Sequence, residues 1–331
     1  MNIPQEELKK LIFEIDSEEI FSNLALEIFR LQAKSVPVYS EYLKLLNKAE
    51  NEVTSPKQIP FLPIAFFKRE KIITGRKPAE LIFESSTTSG LIPSKHYVAD
   101  KELYKKSITT CFKLFFGDPS QYCILALLPS YLERKNSSLV FMADQLIRMT
   151  NHPLSGFFLT EYNELSNRLN QLEARNQKTI LLGVSFALLD FSEKYSMPLK
   201  NTLIIETGGM KGKRKEITRA ELYSFLKEKF GVVQIYSEYG MTELLSQAYS
   251  TSEGIFKSPP WMKVMIRNLH DPFELLAPGE TGGINIIDLA NIDSCAFIQT
   301  DDLGKIHIDG TFEVLGRIDN TDIRGCNLLV E

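Results

Sequence analysis

Apolar positions in the first fifty residues recur at helical spacing. Leu8, Leu11, Ile12 and Ile15 share a face, apolar residues recur from Ile20 to Leu31, and PVYSEYLKLL opens another short helix. The segment IPFLPIAFFK is apolar but broken by prolines, which predicts a buried extended stretch. From residue 80 short, continuously apolar runs alternate with longer amphipathic ones. AELIFES, YCILALLP, SGFFLT, KTILLGV, NTLIIET and VVQIYS read as strands. ELYKKSITTCFKLFF, SSLVFMADQLIRM, EYNELSNRLNQLEARN and SFALLDFSEKY read as helices, and Thr218 with Glu221 forms a capping box for a further helix that stops at Gly231. Apolar strands divided by helices predict a mostly parallel sheet covered on both faces. Beyond residue 245 the texture changes. QAYST, MKVMIRN, GGINIIDL, SCAFIQT, KIHID and TFEVLG are short strands joined by Gly, Pro and Asp turns, which predicts an antiparallel or barrel-like subdomain.

Composition narrows the function classes. The chain has 331 residues, 44% apolar and 24% charged, with a net charge of −4. That is an ordinary globular balance, and it gives no reason to expect nucleic acid or an acidic membrane as a partner. No apolar run approaches the ~18–20 residues of a membrane span. The N-terminus, MNIPQEELKK, is polar rather than a signal peptide, so a cytoplasmic location is expected. Cys111, Cys123 and Cys295 lie in apolar contexts and read as buried, inert thiols. Cys326, in IRGCNLLVE, follows an arginine and a glycine near the chain end, and its context alone invites a chemical question.

Four stretches carry candidate chemistry. ESSTTSGLIPSK, residues 84–95, is a hydroxyl-rich loop around a glycine, able to cradle phosphate with a lysine supplying charge. Its spacing is not that of a Walker A loop, and in isolation a solvated Ser/Thr turn explains it better. YSEYGMTE, residues 236–243, follows a strand and gathers an aromatic ring, a hydroxyl and a carboxylate at a strand's carboxyl end. Glu243 there offers the hard oxygen that Mg²⁺ prefers. QTDDLGKI, residues 299–306, places Asp301 and Asp302 after a strand, and a carboxylate there can accept both ribose hydroxyls. LGRIDNTDIRG supplies Arg317 and Asp319 at a turn. Each taken singly reads as an ordinary loop. His96 follows the hydroxyl loop, with a structural role the plain alternative.

In this order and at these separations the stretches resemble the adenylate-forming superfamily of acyl-CoA ligases, luciferases and peptide-synthetase adenylation domains. SSTTSGLIPSK is similar to that family's phosphate loop, with Thr87 in place of the usual glycine; YGMTE matches its aromatic-Gly-x-Thr-Glu motif. TDDLG resembles its T-G-D motif with Asp301 replacing glycine, and GRID its hinge. ETGGMKGKRKEITR lies where the family lines its adenine pocket, and its basic run otherwise reads as a solvated face. The resemblance implies ATP and Mg²⁺ as cofactors. It assigns Ser85, Ser86, Thr87, Thr88, Ser89, Gly90 and Lys95 to pyrophosphate, Thr242 to the α-phosphate and Glu243 to the metal. Gly208, Gly209, Tyr239 and Gly240 fall to the adenine, Asp302 and Arg317 to the ribose.

The chain stops twelve residues after Asp319, so the mobile C-terminal domain of most members, with its transition-state lysine, is expected to be absent. IPFLPIAFFK, ETGGMKG and RGCNLL further resemble one branch, the acyl-protein synthetases of LuxE type. That resemblance implies activation of a fatty acid as acyl-AMP, transfer to Cys326, and delivery to an acyl reductase or acyl-carrier partner. It implies an α/β fold of stacked, mostly parallel αβαβα sheets with a smaller antiparallel β subdomain. The expected division is a helical segment over 1–75, a nucleotide- and acyl-binding region over 76–244, a β subdomain over 245–316, and a hinge remnant with the Cys-bearing tail over 317–331. Two alternatives stay open: a phenylacetate–CoA-ligase-like enzyme with a separate acceptor, and a non-catalytic nucleotide- or acyl-adenylate-binding module.

Overall fold

The computed structural model describes residues 3–75, 77–85, 92–129, 136–210, 213–215 and 217–318. The chain opens with helices α1 (Gln5–Leu11), α2 (Glu18–Ser35) and α3 (Pro37–Leu45), then β1 (Leu62–Pro63) and α4 (Phe66–Arg69). A hairpin of β2 (Leu81–Glu84) and β3 (Lys95–Val98) leads to α5 (Lys101–Phe116). An alternating series follows: β4 (Cys123–Leu127), α6 (Ser138–Thr150), β5 (Gly156–Phe158), α7 (Tyr162–Ala174), β6 (Thr179–Val184) and α8 (Ser185–Lys194). It continues through β7 (Thr202–Thr207), α9 (Arg219–Phe230), β8 (Tyr236–Tyr239), β9 (Ala248–Ser252) and β10 (Ile255–Lys257). The last strands are β11 (Met262–Arg267), β12 (Thr281–Asp288), β13 (Phe297–Ile306) and β14 (Phe312–Arg317).

Two compact units result. The first draws on Met1–Ser107, Thr242–Ser246 and Ser258–Glu331. Its β11, β12, β13 and β14 pair antiparallel in that order. β1 joins β13 in parallel at Ile298 and Gln299, on the edge that β14 takes further along. Helix α2 starts at a Ser17 cap and buries Phe21, Leu24, Ala25, Ile28, Phe29 and Gln32, the i, i+3, i+4, i+7 stripe of an amphipathic helix. Each buried Phe contributes roughly 2–3 kcal/mol, and Phe29 meets Tyr39 and Phe297 edge-on with centroids 6.1 Å apart. Gln32 survives burial because its amide is saturated: it donates to the Asn291 and Ile292 carbonyls and accepts from the Ala296 N–H. Lys9 ties α1 down by pairing with Asp100 and Asp293, both at 2.7 Å.

The second unit draws on Ile108–Met241 and Gln247–Lys257. Strands β5, β4, β6, β7 and β8 run parallel in that spatial order, and β9 and β10 continue antiparallel beyond β8. Every residue of β4 and β6 is buried, as strands covered on both faces require. Gly183 lets α8 begin directly after β6, since a Cβ there would lie 2.7 Å from the Leu188 side chain. Helix α9 has the Thr218–Glu221 capping box and ends at Gly231 with φ +61°.

The α/β class, the mostly parallel core and the antiparallel strands are as the sequence indicates; three local readings differ. VVQIYS is strand only from Tyr236, because the chain leaves α9 through left-handed Gly231 and Val233 is 93% exposed. IPFLPIAFFK is extended only briefly, at β1, and Phe66–Arg69 turns into a helix once the last proline is passed. SCAFIQT and KIHID are one ten-residue strand, β13, so Asp301 and Asp302 lie within a strand rather than in a loop after it.

Candidate functional site

In the first unit the hydroxyl-rich loop tips the β2–β3 hairpin. Its stem is closed by Ser85 N–H donating to the Ser94 carbonyl at 3.0 Å and Ser94 N–H donating to Ser85 Oγ at 2.9 Å. Lys95 stands opposite Glu84 in the ladder and pairs with it at 3.1 Å, its side chain 44% exposed. Ser86, Thr87, Thr88, Ser89 and Gly90 lie outside the described residues, as do Asp319 and Cys326.

The segment Thr242–Ser246 is held in the same unit by polar side chains. His96, 1% exposed at the centre of β3, donates from Nδ1 to the Thr242 carbonyl at 2.9 Å. Because a carbonyl can only accept, the proton sits on Nδ1, and Nε2 accepts from Ser294 Oγ at 3.0 Å. Asn291 Nδ2 donates to the Glu243 carbonyl at 2.8 Å. Asp288 accepts from the Leu245 and Ser246 N–H groups at 2.9 and 3.0 Å and from Ser246 Oγ, which also receives the Trp261 indole N–H. Burial sets the protonation of these groups: it lowers His96 to about 4 against a weaker upward pull from its bond to Thr242, and it raises Asp288 to about 6 despite four hydrogen bonds favouring the carboxylate.

Thr242 is half-buried and Glu243 only 4% exposed. Burial pushes the Glu243 carboxyl up; the Ser94 hydroxyl that donates to it and the nearby Arg317 charge act the other way, and Asp302 adds to the rise. Asp302 and Arg317 face each other across β13 and β14, with Arg317 Nε 3.8 Å from Asp302 Oδ1. Their accessibility differs, at 17% exposed for the Asp302 side chain and 75% for that of Arg317, which leaves the guanidinium free to turn toward a ligand. A register shift at Leu303 and Gly304 marks the bulge beside them. Thus Glu243, Asp302 and Arg317, from three separate motifs, come within electrostatic reach of one another.

Arg267 backs this strand and went unnoticed in sequence. It is 5% exposed, donates to the carbonyls of Ile284 and Thr300 and to Asn285 Oδ1, and feels both Asp301 and Asp302. Burial lowers its guanidinium to about 10. The Gly-Gly pair of β12 makes the room: a Cβ at Gly283 would lie 2.4 Å from Arg267 Cζ. An arginine ending a strand that is apolar but for Lys263, opposite two glycines, was the available signal.

The second unit holds the remaining candidates. Gly208 follows β7 with φ +78°, a conformation that favours glycine, and a Cβ on Gly209 would meet open space. Tyr239 ends β8 half-buried, edge-on to Phe256 at 5.9 Å. A Cβ on Gly240 would lie 2.5 Å from Glu238 Oε1. Behind them runs a polar chain that the motif reading missed. Tyr223 donates to Ser237 Oγ, Ser237 and Ser185 donate to Glu206, and Thr207 donates to Glu238. Burial raises both carboxyls, that of Glu238 to about 7. Arg214, part of the basic run, is held by Glu193 at 2.6 Å and Asp190 at 3.4 Å, so its charge is already partnered.

Cys111, Cys123 and Cys295 are buried, and burial pushes the Cys295 thiol up to about 12, as expected of inert thiols. Among the described residues no cluster of three His, Cys, Asp or Glu could hold a metal by itself. Mg²⁺ does not need one, because it takes one or two carboxylates and completes its shell with water and substrate phosphate. Glu243, a buried carboxylate with no ion-pair partner among the described residues, fits that role. No helix of the described residues is long and apolar enough to cross a membrane.

The family model described as acyl-protein synthetase, LuxE, matches residues 11–331. None of the curated proteins matches the chain. Among solved structures, 2-hydroxyisobutyryl-CoA ligase in the postadenylation state with 2-HIB-AMP superposes with a TM-score of 0.70 at 10% identity, covering 92% of this chain and 70% of that one. ATP-bound MatB from Rhodopseudomonas palustris gives 0.55 at 17% identity, covering 71% and 47%. The luciferase-like enzyme of the mealworm Zophobas morio gives 0.52 at 18%, covering 75% and 59%. At these identities the likeness is one of fold, that of the adenylate-forming enzymes. The chain spans about half the length of MatB.

Proposed function

We propose a function from one settled fact: this chain belongs to the acyl-protein synthetase (LuxE) family. It activates a carboxylic acid of the fatty type with ATP and passes the acyl group to its own Cys326. In the first step a carboxylate oxygen attacks the α-phosphorus, the bond from that phosphorus to the bridging oxygen breaks, and pyrophosphate leaves. The chain's work there is positioning and charge stabilisation. Ser85 to Gly90 and Lys95 take the pyrophosphate. The Lys95–Glu84 pair does not oppose this, because a half-exposed ion pair is worth only about 0–1 kcal/mol. Thr242 contacts the α-phosphate; Tyr239, Gly240 and the Gly208–Gly209 turn hold the adenine, and Asp302 with Arg317 the ribose. Glu243 would hold Mg²⁺, which when bound offsets phosphate charge. In the second step the Cys326 thiolate attacks the acyl carbon, the carbon–oxygen bond to AMP breaks, and a thioester remains for an acyl reductase or carrier partner to accept.

The observation that supports this reading most is the approach of Glu243, from the segment after β8, to Asp302 and Arg317 on the paired strands β13 and β14, which brings three motifs separate in sequence together within one unit. Incubation with ATP, Mg²⁺ and labelled fatty acids of several lengths tests it. Hydroxylamine-labile label should appear on the protein and vanish in Cys326→Ser, while that variant retains acid-dependent ATP–pyrophosphate exchange. Label persisting in Cys326→Ser refutes the transfer, and absence of exchange with every acid refutes the activation.

A further inference from the structure

We propose that His96 is a positioning residue for the adenylation step, fixing the Thr242–Glu243 backbone through a single imidazole tautomer. The proposal rests on the roles assigned above to Thr242 and Glu243. The bond from His96 goes to the Thr242 carbonyl, so its action is through the peptide that carries these side chains. The imidazole is fully buried between Phe67, edge-on at 5.9 Å, and the Thr242–Ser246 segment. Ser294 donates to Nε2 and so keeps the proton on Nδ1, where it bonds the Thr242 carbonyl. On the neighbouring peptide Asn291 bonds the Glu243 carbonyl. Two successive carbonyls are thereby held by rigid, buried side chains, and rotation of either peptide would swing a hydroxyl or carboxylate needed at the phosphates. A displacement of about 1 Å at a reacting centre can cost on the order of 100-fold in rate.

The two nitrogens of His96 can be tested separately. Asn offers its amide near the Nδ1 position and keeps the bond to Thr242; Gln reaches the Nε2 position and keeps only the bond to Ser294. In ATP–pyrophosphate exchange with a competent acid, His96→Asn is expected to stay within about 3-fold of the wild-type kcat. His96→Gln is expected to lose at least about 10-fold in kcat with KM for ATP little changed. Both remove the same ring from the same core, so a merely structural role moves the two alike and in step with their melting temperatures. The imidazole ¹⁵N spectrum of the wild type gives a second reading: His96, identified by its loss in His96→Asn, should show a slowly exchanging Nδ1–H near neutral pH. Equal kcat in the Asn and Gln variants at equal folded fraction overturns the proposal, and so does a proton found on Nε2. A wild type that exchanges with no acid overturns the adenylation reading and the positioning role with it. A wild type that exchanges while Asn and Gln behave alike overturns the positioning role only.

Discussion

His96 and Asp288 hold the same segment yet respond to acid in opposite directions, and the difference can be measured. Burial lowers His96 from 6.5 to about 4. In the unfolded chain this histidine takes up its proton near 6.5, while the folded protein refuses it until about 4. Its contribution is therefore complete above pH 6.5 and lost as pH falls toward 4. A displacement of about 2.5 on the pH scale, at roughly 1.4 kcal/mol each, amounts to about 3 kcal/mol between pH 7 and 4. Asp288 is raised from 3.8 to about 6, so the folded state takes its proton first. Its contribution is present in acid and disappears as pH rises through 6, a change of about 2 kcal/mol over the same interval. In the wild type the two nearly cancel. The cost of His96→Asn relative to wild type should then shrink by about 3 kcal/mol from pH 7 to pH 4, and that of Asp288→Asn should grow by about 2 kcal/mol. Urea unfolding followed by fluorescence suits the measurement, because Trp261 is the only tryptophan and its indole bonds Ser246 within the segment at issue. Taking differences from wild type at each pH removes every other titrating group. A His96→Asn cost that stays constant within about 1 kcal/mol from pH 7 to 4 refutes the assignment of a buried neutral imidazole.

Glu243→Gln should reduce Mg²⁺-dependent ATP–pyrophosphate exchange by about 100-fold or more, and its melting temperature should not fall, since the variant removes a carboxylate whose charge burial disfavours; exchange within 3-fold of wild type argues against the metal role. Gly283→Ala should cost roughly 2–3 kcal/mol of stability by forcing the Arg267 guanidinium aside; in urea titrations the added Arg267→Ala change should recover part of that loss, and strict additivity refutes the contact. Lys9→Met should cost about 3 kcal/mol at neutral pH because, among the described residues, Asp293 keeps only Lys77 as its charged partner and Asp100 loses its own; against burial, the bonds from Lys9 help hold the Asp100 carboxyl below its ordinary range, so the cost should fall in acid as Asp100 takes up its proton, and a cost independent of pH counts against it.

What the sequence disclosed and what it hid follow from how far each feature reaches along the chain. The largely apolar runs of β4 and β6, the Thr218 capping box and the Gly231 stop are local, and the folded chain uses them as they stand. Asp301 and Asp302 are polar and a glycine follows at 304, which locally describes a turn. Strand pairing overrides this, because Arg317 on β14 and the buried Arg267 behind give both carboxylates an electrostatic reason to lie in a ladder. The cradle of Thr242–Ser246 was illegible for a plainer reason. Its bonds join residues 146, 48 and 43 positions apart; His96 directly follows the hydroxyl loop but nothing local points to Thr242, and Asn291 and Asp288 have no motif around them.

That cradle also explains how a short segment keeps its place without strand pairing. The residues on either side of Thr242–Ser246, up to Met241 and from Gln247, belong to the second unit. A five-residue excursion buries too little apolar surface to anchor itself, even with Leu244 and Leu245 at 1% and 4% exposed. Hydrogen bonds of about 1 kcal/mol each do not add much net stability either. Their value lies in the alternative, since a slipped segment would strand a buried imidazole, carboxyl and amide, and each lost partner costs roughly 1–3 kcal/mol. Several such penalties together define one position for Glu243 far more sharply than apolar packing of the same size could. A carboxylate in the role proposed for Glu243 needs that definition more than it needs stability, and this favours a polar cradle over a greasy one at this point in the chain.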